Sequence, residues 1–371
     1  MECMLAQEAH HASSRSEGAK KLNPQQCWHN VEAVLTIAVP TYNGAGTIRE
    51  TLESVAGQLE PGVDILVSDN ASTDATRSVM REYQQRYPSI LYSRNDTNVG
   101  PDRNFDLAVR GACGKYVWLL SDDDKLSPGA IRRMLDVLER HRDIALVFVN
   151  SATYSADFSR CLASRALAIP EDLFCRTADE FLQATKELAC YVSSCVVRRD
   201  LWIERDLSPY VGSNWLQYAA RLALLRGHSA YCIADSLVVY RSEAFRWERD
   251  GMLRNNVKLA RMIGQLAELG YSKSVVRQTM RSLVRKLPLT IFIAKTTNLS
   301  LDCGLMSLLA AYGIHPSFWI LDVPLLLVPR WSHRLVWRLY QVPPMKRYYR
   351  TLKASLGRLR AAARSRREKR P

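Results

Sequence analysis

Three consecutive aspartates, Asp122, Asp123 and Asp124, come directly after a run of hydrophobic and aromatic residues at positions 116–120. Adjacent carboxylates repel one another, and a hard divalent cation such as Mg²⁺ or Mn²⁺ neutralises them while leaving coordination positions open for phosphate. The preceding run predicts a buried strand, and open α/β sheets bind ligands where such strands end. The alternative is a polar turn that caps a helix beginning at Pro128. These residues alone leave both interpretations open.

Two earlier strands of the predicted sheet also end in polar side chains. Residues 34–39 and 65–67 are β-branched or apolar runs, and the segments after them carry apolar residues at helical spacing. The polar residues at these two ends are Thr41, Tyr42, Asp69 and Asn70. Alternating strands and helices with short connections predict an α/β fold with a doubly wound, mostly parallel sheet. In such a sheet all three polar strand ends lie on one edge.

The basic charge is concentrated near the carboxyl terminus of the chain. The 371 residues carry a net charge of +14, yet residues 330–371 hold 14 Lys or Arg and a single acid, Glu368. The rest of the chain is therefore nearly neutral. A basic tail on a neutral body is typical of attachment to an anionic surface and argues against a nucleic-acid-binding protein.

Several common classes of site have no support in the sequence. The nine cysteines form no CxxC pair and no Cys/His cluster with zinc-ligand spacing. Neither GxGxxG nor GxxxxGK[ST] occurs, so a dinucleotide site or a phosphate-binding P-loop is not indicated. The polar residues 1–33 predict a flexible leader without a secretion signal, and a cytoplasmic protein is expected.

Four segments, taken in order, resemble family 2 glycosyltransferases, which have the GT-A fold. They are residues 35–43 (LTIAVPTYN), 65–76 (ILVSDNASTDAT), 98–105 (NVGPDRNF) and 117–124 (VWLLSDDD). The third segment is most similar to enzymes that add unusual sugars to bacterial surface polysaccharides, such as abequosyltransferases. The resemblance implies transfer of a sugar from a nucleotide-activated donor to a hydroxyl group of an acceptor.

The resemblance also implies roles for individual residues. Tyr42 would stack on the nucleotide base, Asp69 would accept a hydrogen from the base, and Arg103 would lie near the ribose and phosphates. Asp123 matches the metal-binding carboxylate. Asp124 would bind the metal or contact the sugar, so it is both a metal-binding and a catalytic candidate. The expected substrate-binding residues are Pro40, Thr41, Tyr42, Asp69, Asn70, Asn98, Arg103 and Asp122.

The general base that the resemblance implies is missing from its expected position. Relatives usually carry Glu-Asp just before an aromatic residue at the start of a helix, whereas this chain has Asn214 before Trp215. An amide cannot take a proton as a carboxylate does. Asp206, on the preceding loop, is the candidate replacement and the second catalytic candidate, with Glu204 and His228 as rivals. The competing interpretation of Asp206 is a solvated loop acid with no part in the reaction.

The sequence predicts four parts of the chain. They are a flexible leader (1–33), a glycosyltransferase domain (34–250) with a nucleotide-sugar half (34–150) and an acceptor half (151–250), a helical region (251–329), and a basic amphipathic tail (330–371). A strand is expected at residues 191–197. The apolar segment 305–329 is interrupted by polar residues and prolines, and its longest clean run is too short to cross a bilayer. It either lies in a membrane interface or packs on the catalytic domain.

Together these observations predict a glycosyltransferase that uses Mn²⁺ or Mg²⁺ and moves a hexosyl or deoxyhexosyl group. The donor would be a nucleotide-sugar and the acceptor a lipid-linked oligosaccharide, in the synthesis of O-antigen, capsule or exopolysaccharide. The expected location is the cytoplasmic face of the inner (plasma) membrane, where the tail would hold the protein peripherally. No nucleic acid partner is expected. The alternatives are a nucleotidyltransferase acting on sugar phosphates and a non-catalytic scaffold with the same fold.

Overall fold

The computed structural model describes residues 33–242, 251–296 and 303–341. The predicted leader, apart from residue 33, and residues 342–371 of the predicted tail lie outside the described residues. The chain divides into two compact units, Met1–Arg246 with Lys258–Ser282, and Trp247–Val257 with Leu283–Pro371. The predicted boundary at residue 250 does not coincide with this division, because Lys258–Ser282 belongs to the first unit.

Among the described residues, the first unit contains one mixed sheet of ten strands. The strands are β1 (Leu35–Thr41), β2 (Val63–Asp69), β3 (Ile90–Arg94), β4 (Tyr116–Leu119), β5 (Lys125–Leu126), β6 (Leu146–Tyr154), β7 (Cys161–Ala163), β8 (Leu173–Cys175), β9 (Cys195–Arg198) and β10 (Ala230–Arg241). The main path of the sheet runs β3-β2-β1-β4-β9-β6-β10-β5, while β7 pairs with β6 and β8 with β10.

Strand β1 lies inside the parallel part of the sheet. It pairs in parallel with β2 on one side and with β4 on the other, and β2 pairs in parallel with β3. Strand β9 is inserted antiparallel between β4 and β6, while β6 and β10 are parallel. All seven residues of β1 are buried, as expected for a central strand of a parallel sheet. The mostly parallel sheet confirms the predicted α/β class.

The helices follow the strands in the alternation that the sequence predicts. They are α1 (Ile48–Ala56), α2 (Thr76–Arg86), α3 (Pro101–Gly111), α4 (Ala130–Arg140), α5 (Ala178–Thr185), α6 (Arg199–Ile203), α7 (Leu216–Leu224), α8 (Met252–Gln265), α9 (Lys273–Thr296), α10 (Leu305–Tyr312), α11 (Val323–Leu327) and α12 (Arg330–Gln341). Apolar residues of α1, α2 and α4 share one core with Leu35, Ile37 and Val39 of β1. Helix α3 contacts β1, β2 and β4. This packing fixes where the central strands end.

The strand predicted at residues 191–197 is wrong over its first half. The chain instead forms two 3₁₀ turns, Lys186–Cys190 and Val192–Ser194, and the strand begins only at Cys195. The cause is Arg221 of α7, which is fully buried and donates hydrogen bonds to the carbonyls of Ala189, Tyr191 and Val192. Carbonyls bonded to this guanidinium are not available to a sheet ladder.

In the second unit, α10, a π-helical turn (Phe318–Asp322), α11 and α12 follow one another closely. The buried Lys295 donates to the carbonyls of Leu325 and Leu326 at 2.7 Å and also to that of Val328. A cation is favourable at a helix carboxyl terminus, so these bonds fix the end of α11. No helix among the described residues has the length and apolar character needed to span a membrane.

Candidate active site at the carboxyl edge of the sheet

The ends of β1, β2 and β4 meet at one edge of the sheet. The hydroxyl of Thr41 donates to Oδ2 of Asp122 at 2.5 Å, and the amide of Asn70 donates to the carbonyl of Thr41 at 2.9 Å. The loop after β1 closes over the first of these bonds at Gly44. A Cβ there would lie 2.3 Å from both Oδ2 of Asp122 and Oγ1 of Thr41, so only glycine permits this approach. Residues that are distant in the sequence thus lie together at this edge of the sheet.

Asn70 organises the loops beside this edge. Its Oδ1 accepts from the amide of Val99 at 2.9 Å and from Nδ2 of Asn95 at 3.1 Å, while its Nδ2 donates to Oδ1 of Asn98 at 2.8 Å. Asn70 is buried, whereas Asn98 is exposed and Tyr42 is 44% exposed. Asn70 therefore holds the loop that presents Asn98, and Tyr42 offers an accessible ring on the other side of the edge.

Asp69 is placed differently from the expectation that it meets a nucleotide base. It is fully buried, and its Oδ1 accepts from the amide of Ser72 at 2.8 Å. Its Oδ2 accepts from the hydroxyl of Tyr92 at 2.5 Å, with Nε of Arg94 at 3.6 Å. Burial and the bond to Asp69 raise the pKa of Tyr92, which keeps this hydroxyl protonated as a donor. A base would reach Asp69 only if these bonds opened, and its contact with the base stays a prediction.

Pro40 and Arg103 are two further residues that the sequence predicts to bind substrate. Pro40 is buried inside β1, where it shapes the strand end without exposing its ring. Arg103 is exposed in the first turn of α3, and within the described part of the chain its guanidinium makes no hydrogen bond or ion pair. An accessible guanidinium at this place suits phosphate or ribose oxygens.

The three aspartates differ in their access to solvent. Asp122 and Asp124 are only 6% and 3% exposed, whereas Asp123 is only partly buried. The hydroxyl of Ser121 donates to Oδ1 of Asp123 at 2.5 Å. In the turn after β4, Asp123 is therefore the most accessible of the three aspartates, and the buried carboxylates on either side of it anchor the turn.

Asp124 anchors the turn from inside the protein. Its Oδ2 accepts from the hydroxyl of Ser193 at 2.6 Å, and its Oδ1 accepts from the amide of Arg241 at 3.2 Å. Ser193 also accepts from the amide of Ser121 at 3.0 Å, so it holds both ends of the turn. Burial, followed by the nearby Asp123 carboxylate, raises the pKa of Asp124 well above its usual range. The metal and catalytic roles of Asp124 stay predictions, and the structure shows it as a buried support.

Arg241, at the end of β10, is a site residue that the sequence did not single out. Its side chain is 11% exposed, its Nε donates to the carbonyl of Asp123 at 3.1 Å, and its Nη1 donates to the carbonyl of Ala156 at 2.6 Å. Its Nη2 lies 3.1 Å from Oε2 of Glu50, and its guanidinium stacks on Phe158 at 4.2 Å. The only signal available was a polar residue at the end of another strand on the same edge.

Glu50 balances the charge of this corner. It pairs with Lys125 at 2.5 Å as well as with Arg241. Partial burial alone would raise its pKa, but hydrogen bonds from Lys125 and Arg241 hold the pKa of Glu50 below its usual value. The carboxylate therefore stays ionised and keeps both cations beside the three-aspartate turn.

The residues of this turn fit a divalent cation that a substrate helps to bind. Among the described residues, no three His, Cys, Asp or Glu side chains converge as metal ligands. Mg²⁺ commonly takes one or two protein carboxylates and completes its coordination with phosphate oxygens and water. The accessible carboxylate of Asp123 supplies such a ligand, so the donor set fits a cation that is shared with a diphosphate.

The structure does not bring the predicted base Asp206 to this edge. Asp206 is exposed and accepts from the amide of Ser208 at 3.0 Å, and hydrogen bonding by the side chain and the backbone of Ser208 lowers the pKa of Asp206. Arg110, in the last turn of α3, donates to the carbonyl of Arg205 at 3.3 Å. The aspartate edge lies at the opposite end of α3, and a helix of 11 residues is roughly 16 Å long. As placed, Asp206 has no geometric support as the base.

Asn214, at the position expected for the base, has a structural role. Its backbone is left-handed, with φ +65°, and its amide donates to Oδ2 of Asp102 at 2.9 Å. The other oxygen of Asp102 accepts from the amide of Leu216 at 3.3 Å. Asp102 thus caps the start of α7 from α3, and burial raises the pKa of this carboxyl. Sequence reasoning missed Asp102, because a cap from a distant helix leaves no local pattern.

The sequence is similar to a known protein family and to individual members of known function. Residues 36–205 match the family model described as Glycosyl transferase family 2. The chain is 28% identical over 256 residues to an abequosyltransferase of Salmonella typhimurium, covering 65% of this chain and 77% of that protein. It is 32% identical over 102 residues to the GalNAc(5)-diNAcBac-PP-undecaprenol beta-1,3-glucosyltransferase of Campylobacter jejuni, covering 27% of this chain and 33% of that protein.

The fold is also similar to solved structures. S. aureus TarS 1-349 in complex with UDP-GlcNAc superposes with a TM-score of 0.55 at 16% identity, covering 76% of this chain and 80% of that chain. At this level of identity the likeness concerns the fold alone. It confirms the GT-A architecture that the motif order predicts.

Proposed function

We propose that the protein, whose residues 36–205 match the model of family 2 glycosyltransferases, transfers a sugar from a nucleotide-sugar to a lipid-linked oligosaccharide in surface polysaccharide synthesis. The observation that carries this proposal is the bond between Thr41 and Asp122, which joins the ends of β1 and β4 beside the accessible Asp123. This bond brings the residues that we assign to the nucleotide and the carboxylates that we assign to the diphosphate to one edge, which supports a donor of this class.

Each part of this edge has a task in the proposed reaction. Tyr42 stacks on the base, the Asn70–Asn98 pair shapes the ribose side, and Arg103 contacts ribose or phosphate oxygens. Asp123 holds Mn²⁺ or Mg²⁺, which when bound neutralises the departing diphosphate. The acceptor oxygen forms a bond to the anomeric carbon as the bond from that carbon to the phosphate oxygen breaks. The acceptor proton passes to a base whose identity the known contacts do not assign.

The name of one relative supports the choice of acceptor, and the name of a second supports the choice of transferred group. The Campylobacter protein is named for a saccharide carried on undecaprenyl diphosphate, and the Salmonella protein is named for transfer of abequose, a deoxy sugar. We therefore assign the chain an acceptor of the same chemical class, an oligosaccharide on a polyprenyl diphosphate. The group that is moved is a hexosyl or deoxyhexosyl residue.

The second unit exposes large apolar side chains, here together termed the apolar docking surface, and we propose that they contact the membrane that carries this acceptor. Its members Met306, Ile314, Ile320, Leu327 and Trp331 are between 67% and 86% exposed. Such a set of large exposed apolar side chains is unusual for a surface that faces only water.

The charge around this surface favours an anionic bilayer as its partner. Between residues 303 and 341 the sequence has one acid, Asp322, and the structure buries it to 1% exposure. Helix α12 carries three arginines, at positions 330, 334 and 338. Apolar side chains beside basic ones bind the interface of anionic lipids. We propose a peripheral location on the cytoplasmic face of the inner membrane, to which the basic residues 342–371, outside the described residues, also contribute.

We expect the double substitution Ile314→Ser and Ile320→Ser to weaken binding to phosphatidylglycerol-rich vesicles by at least about tenfold. Each inserted isoleucine contributes roughly 1.5–3 kcal/mol of apolar transfer free energy. Co-sedimentation of the full chain measures the partition coefficient, and Leu162→Ser on β7, a residue 45% exposed, is the matched control. Equal sedimentation of the double variant and the wild type would refute the membrane proposal. The proposal would also be refuted if the double substitution abolished a dimer of the protein and left vesicle binding unchanged.

A panel of nucleotide-sugars tests the proposed function itself. We expect one donor to raise the melting temperature of the full chain in the presence of Mn²⁺, since a ligand that binds the native state stabilises it according to its affinity. With a polyprenyl-diphosphate-linked saccharide, that donor should yield an acceptor larger by one sugar and a nucleoside diphosphate. Release of pyrophosphate would instead identify a nucleotidyltransferase. Absence of both transfer and donor hydrolysis would identify a scaffold.

A further inference from the structure

Two tyrosines stand beside the three-aspartate turn. Tyr191 comes two residues before Ser193, whose hydroxyl bonds Asp124 at 2.6 Å, and Tyr240 directly precedes Arg241, whose amide bonds the same carboxylate. The two rings lie 5.8 Å apart, centroid to centroid, at an interplanar angle of 56°. Tyr191 is 46% exposed, although an aromatic ring of this size gains most when it is buried.

The backbone that carries Tyr191 is held unusually firmly for an exposed residue. Arg221, which is fully buried, donates to the carbonyls of Tyr191 and Val192 at 2.6 Å each. From the same helix, Gln217 donates to the carbonyl of Cys190 at 2.9 Å, and Tyr218 donates to that of Lys186 at 3.1 Å. Three side chains of α7 thus hold the two consecutive 3₁₀ turns that flank Tyr191. A ring presented on a fixed backbone loses little further conformational entropy when it binds a ligand.

The order of the strands places this pair away from the nucleotide side. The nucleotide-side residues lie at the ends of β1 and β2, and Asp123 follows β4. Tyr191 precedes β9 and Tyr240 lies near the end of β10, on the other side of β4 in the sheet order β2-β1-β4-β9-β6-β10. All of these strand ends meet at the same edge, because β9 runs antiparallel to both β4 and β6. The rings therefore lie across β4 from the residues that are predicted to bind the nucleotide.

We propose that Tyr191 and Tyr240 form a platform that binds a sugar ring of the acceptor saccharide. The inference rests on the proposed function and deepens it by naming where the acceptor is held. The apolar C–H face of a pyranose packs on an aromatic ring, and the phenolic hydroxyls exchange hydrogen bonds with sugar hydroxyls. By holding the acceptor, the platform aligns its attacking hydroxyl with the anomeric carbon of the donor sugar near Asp123. Tyr191 and Tyr240 therefore contribute to the reaction by positioning the acceptor.

Steady-state kinetics with a fixed donor test the platform. The probes are polyprenyl-diphosphate-linked disaccharides that end in galactose, mannose or N-acetylglucosamine. We expect Tyr191→Ala and Tyr240→Ala each to raise the acceptor KM about tenfold, as expected from loss of an aromatic contact. Tyr191→Phe should keep most of the affinity. Donor affinity and donor hydrolysis without acceptor should not change, and Tyr210→Ala, on a separate turn, is the control.

Direct binding separates this inference from the proposed function. Saturation-transfer NMR with the same disaccharides, freed of lipid, should show contact with the wild type and a marked loss in Tyr191→Ala. Equal saccharide binding by both proteins overturns the platform even if the enzyme transfers sugar. A raised donor KM with an unchanged acceptor KM also overturns it, because the rings would then hold the donor sugar. If the saccharide binds but the protein turns over no donor, the proposed function is overturned, whereas the inference that the two tyrosines bind a saccharide is supported.

Discussion

Replacing Asp123 with alanine is expected to reduce sugar transfer by about 10²–10³-fold, the range seen when one preorganised electrostatic group is removed from an active site. Asp123 is the one member of the three-aspartate turn that is only partly buried, and so the one whose carboxylate can reach a cation on the diphosphate. Without it the negative charge of the leaving group develops with less compensation. The loss should appear in kcat and in the Mn²⁺-dependent part of donor affinity.

The fold should survive this substitution. The substitution removes the local bond from Ser121 to Asp123, but Asp122 and Asp124 keep the bonds to Thr41 and Ser193 that tie the turn to distant parts of the chain. The melting temperature without ligand should therefore stay close to that of the wild type. Asp136→Ala, on the outer face of α4, is the matched control and should leave both activity and metal response unchanged. Full activity in the Asp123 variant would show that another residue holds the leaving group.

Replacing Arg241 with methionine is expected to lower kcat/KM by about 10²-fold, since small displacements of a positioned group cost this much. Methionine keeps part of the aliphatic stem and removes the bonds to the carbonyls of Asp123 and Ala156, together with the pairing to Glu50. Hydrogen bonds from a charged group contribute about 1.5–3 kcal/mol, so the free energy of unfolding should also fall by a similar amount. Chemical denaturation and steady-state kinetics measure the two effects.

Kinetic measurements can distinguish whether Arg241→Met only destabilises the protein or also displaces Asp123. Arg132→Met is the control, because Arg132 is 62% exposed and, among the described residues, pairs with Glu60 and Asp136, which lie away from the three-aspartate turn. If Arg241 positions Asp123, assays well below the melting temperature should still show reduced kcat and a weaker response to Mn²⁺. Normal kinetics in folded Arg241→Met protein would assign this residue to stability alone.

The sequence determined the framework of the site because its signals are local. Apolar runs followed by polar residues marked where β1, β2 and β4 end, and alternation with helices indicated a parallel sheet whose ends share an edge. The motif order added the resemblance to family 2 glycosyltransferases and predicted the GT-A fold. Composition also showed that the basic charge belongs to the last part of the chain. None of these inferences required knowledge of which distant residues touch.

Tertiary structure decided what each site residue does, because burial and long-range partners are set by packing. Three adjacent aspartates look alike in the sequence, yet only the contacts of Thr41, Ser193 and Arg241, 69 to 117 residues away from their partners, separate the accessible Asp123 from the two supports. Packing likewise buried Asp69 against Tyr92 and left Asp206 at the far end of α3. A strand end predicts where a side chain lies, whereas its accessibility depends on every element that folds against it.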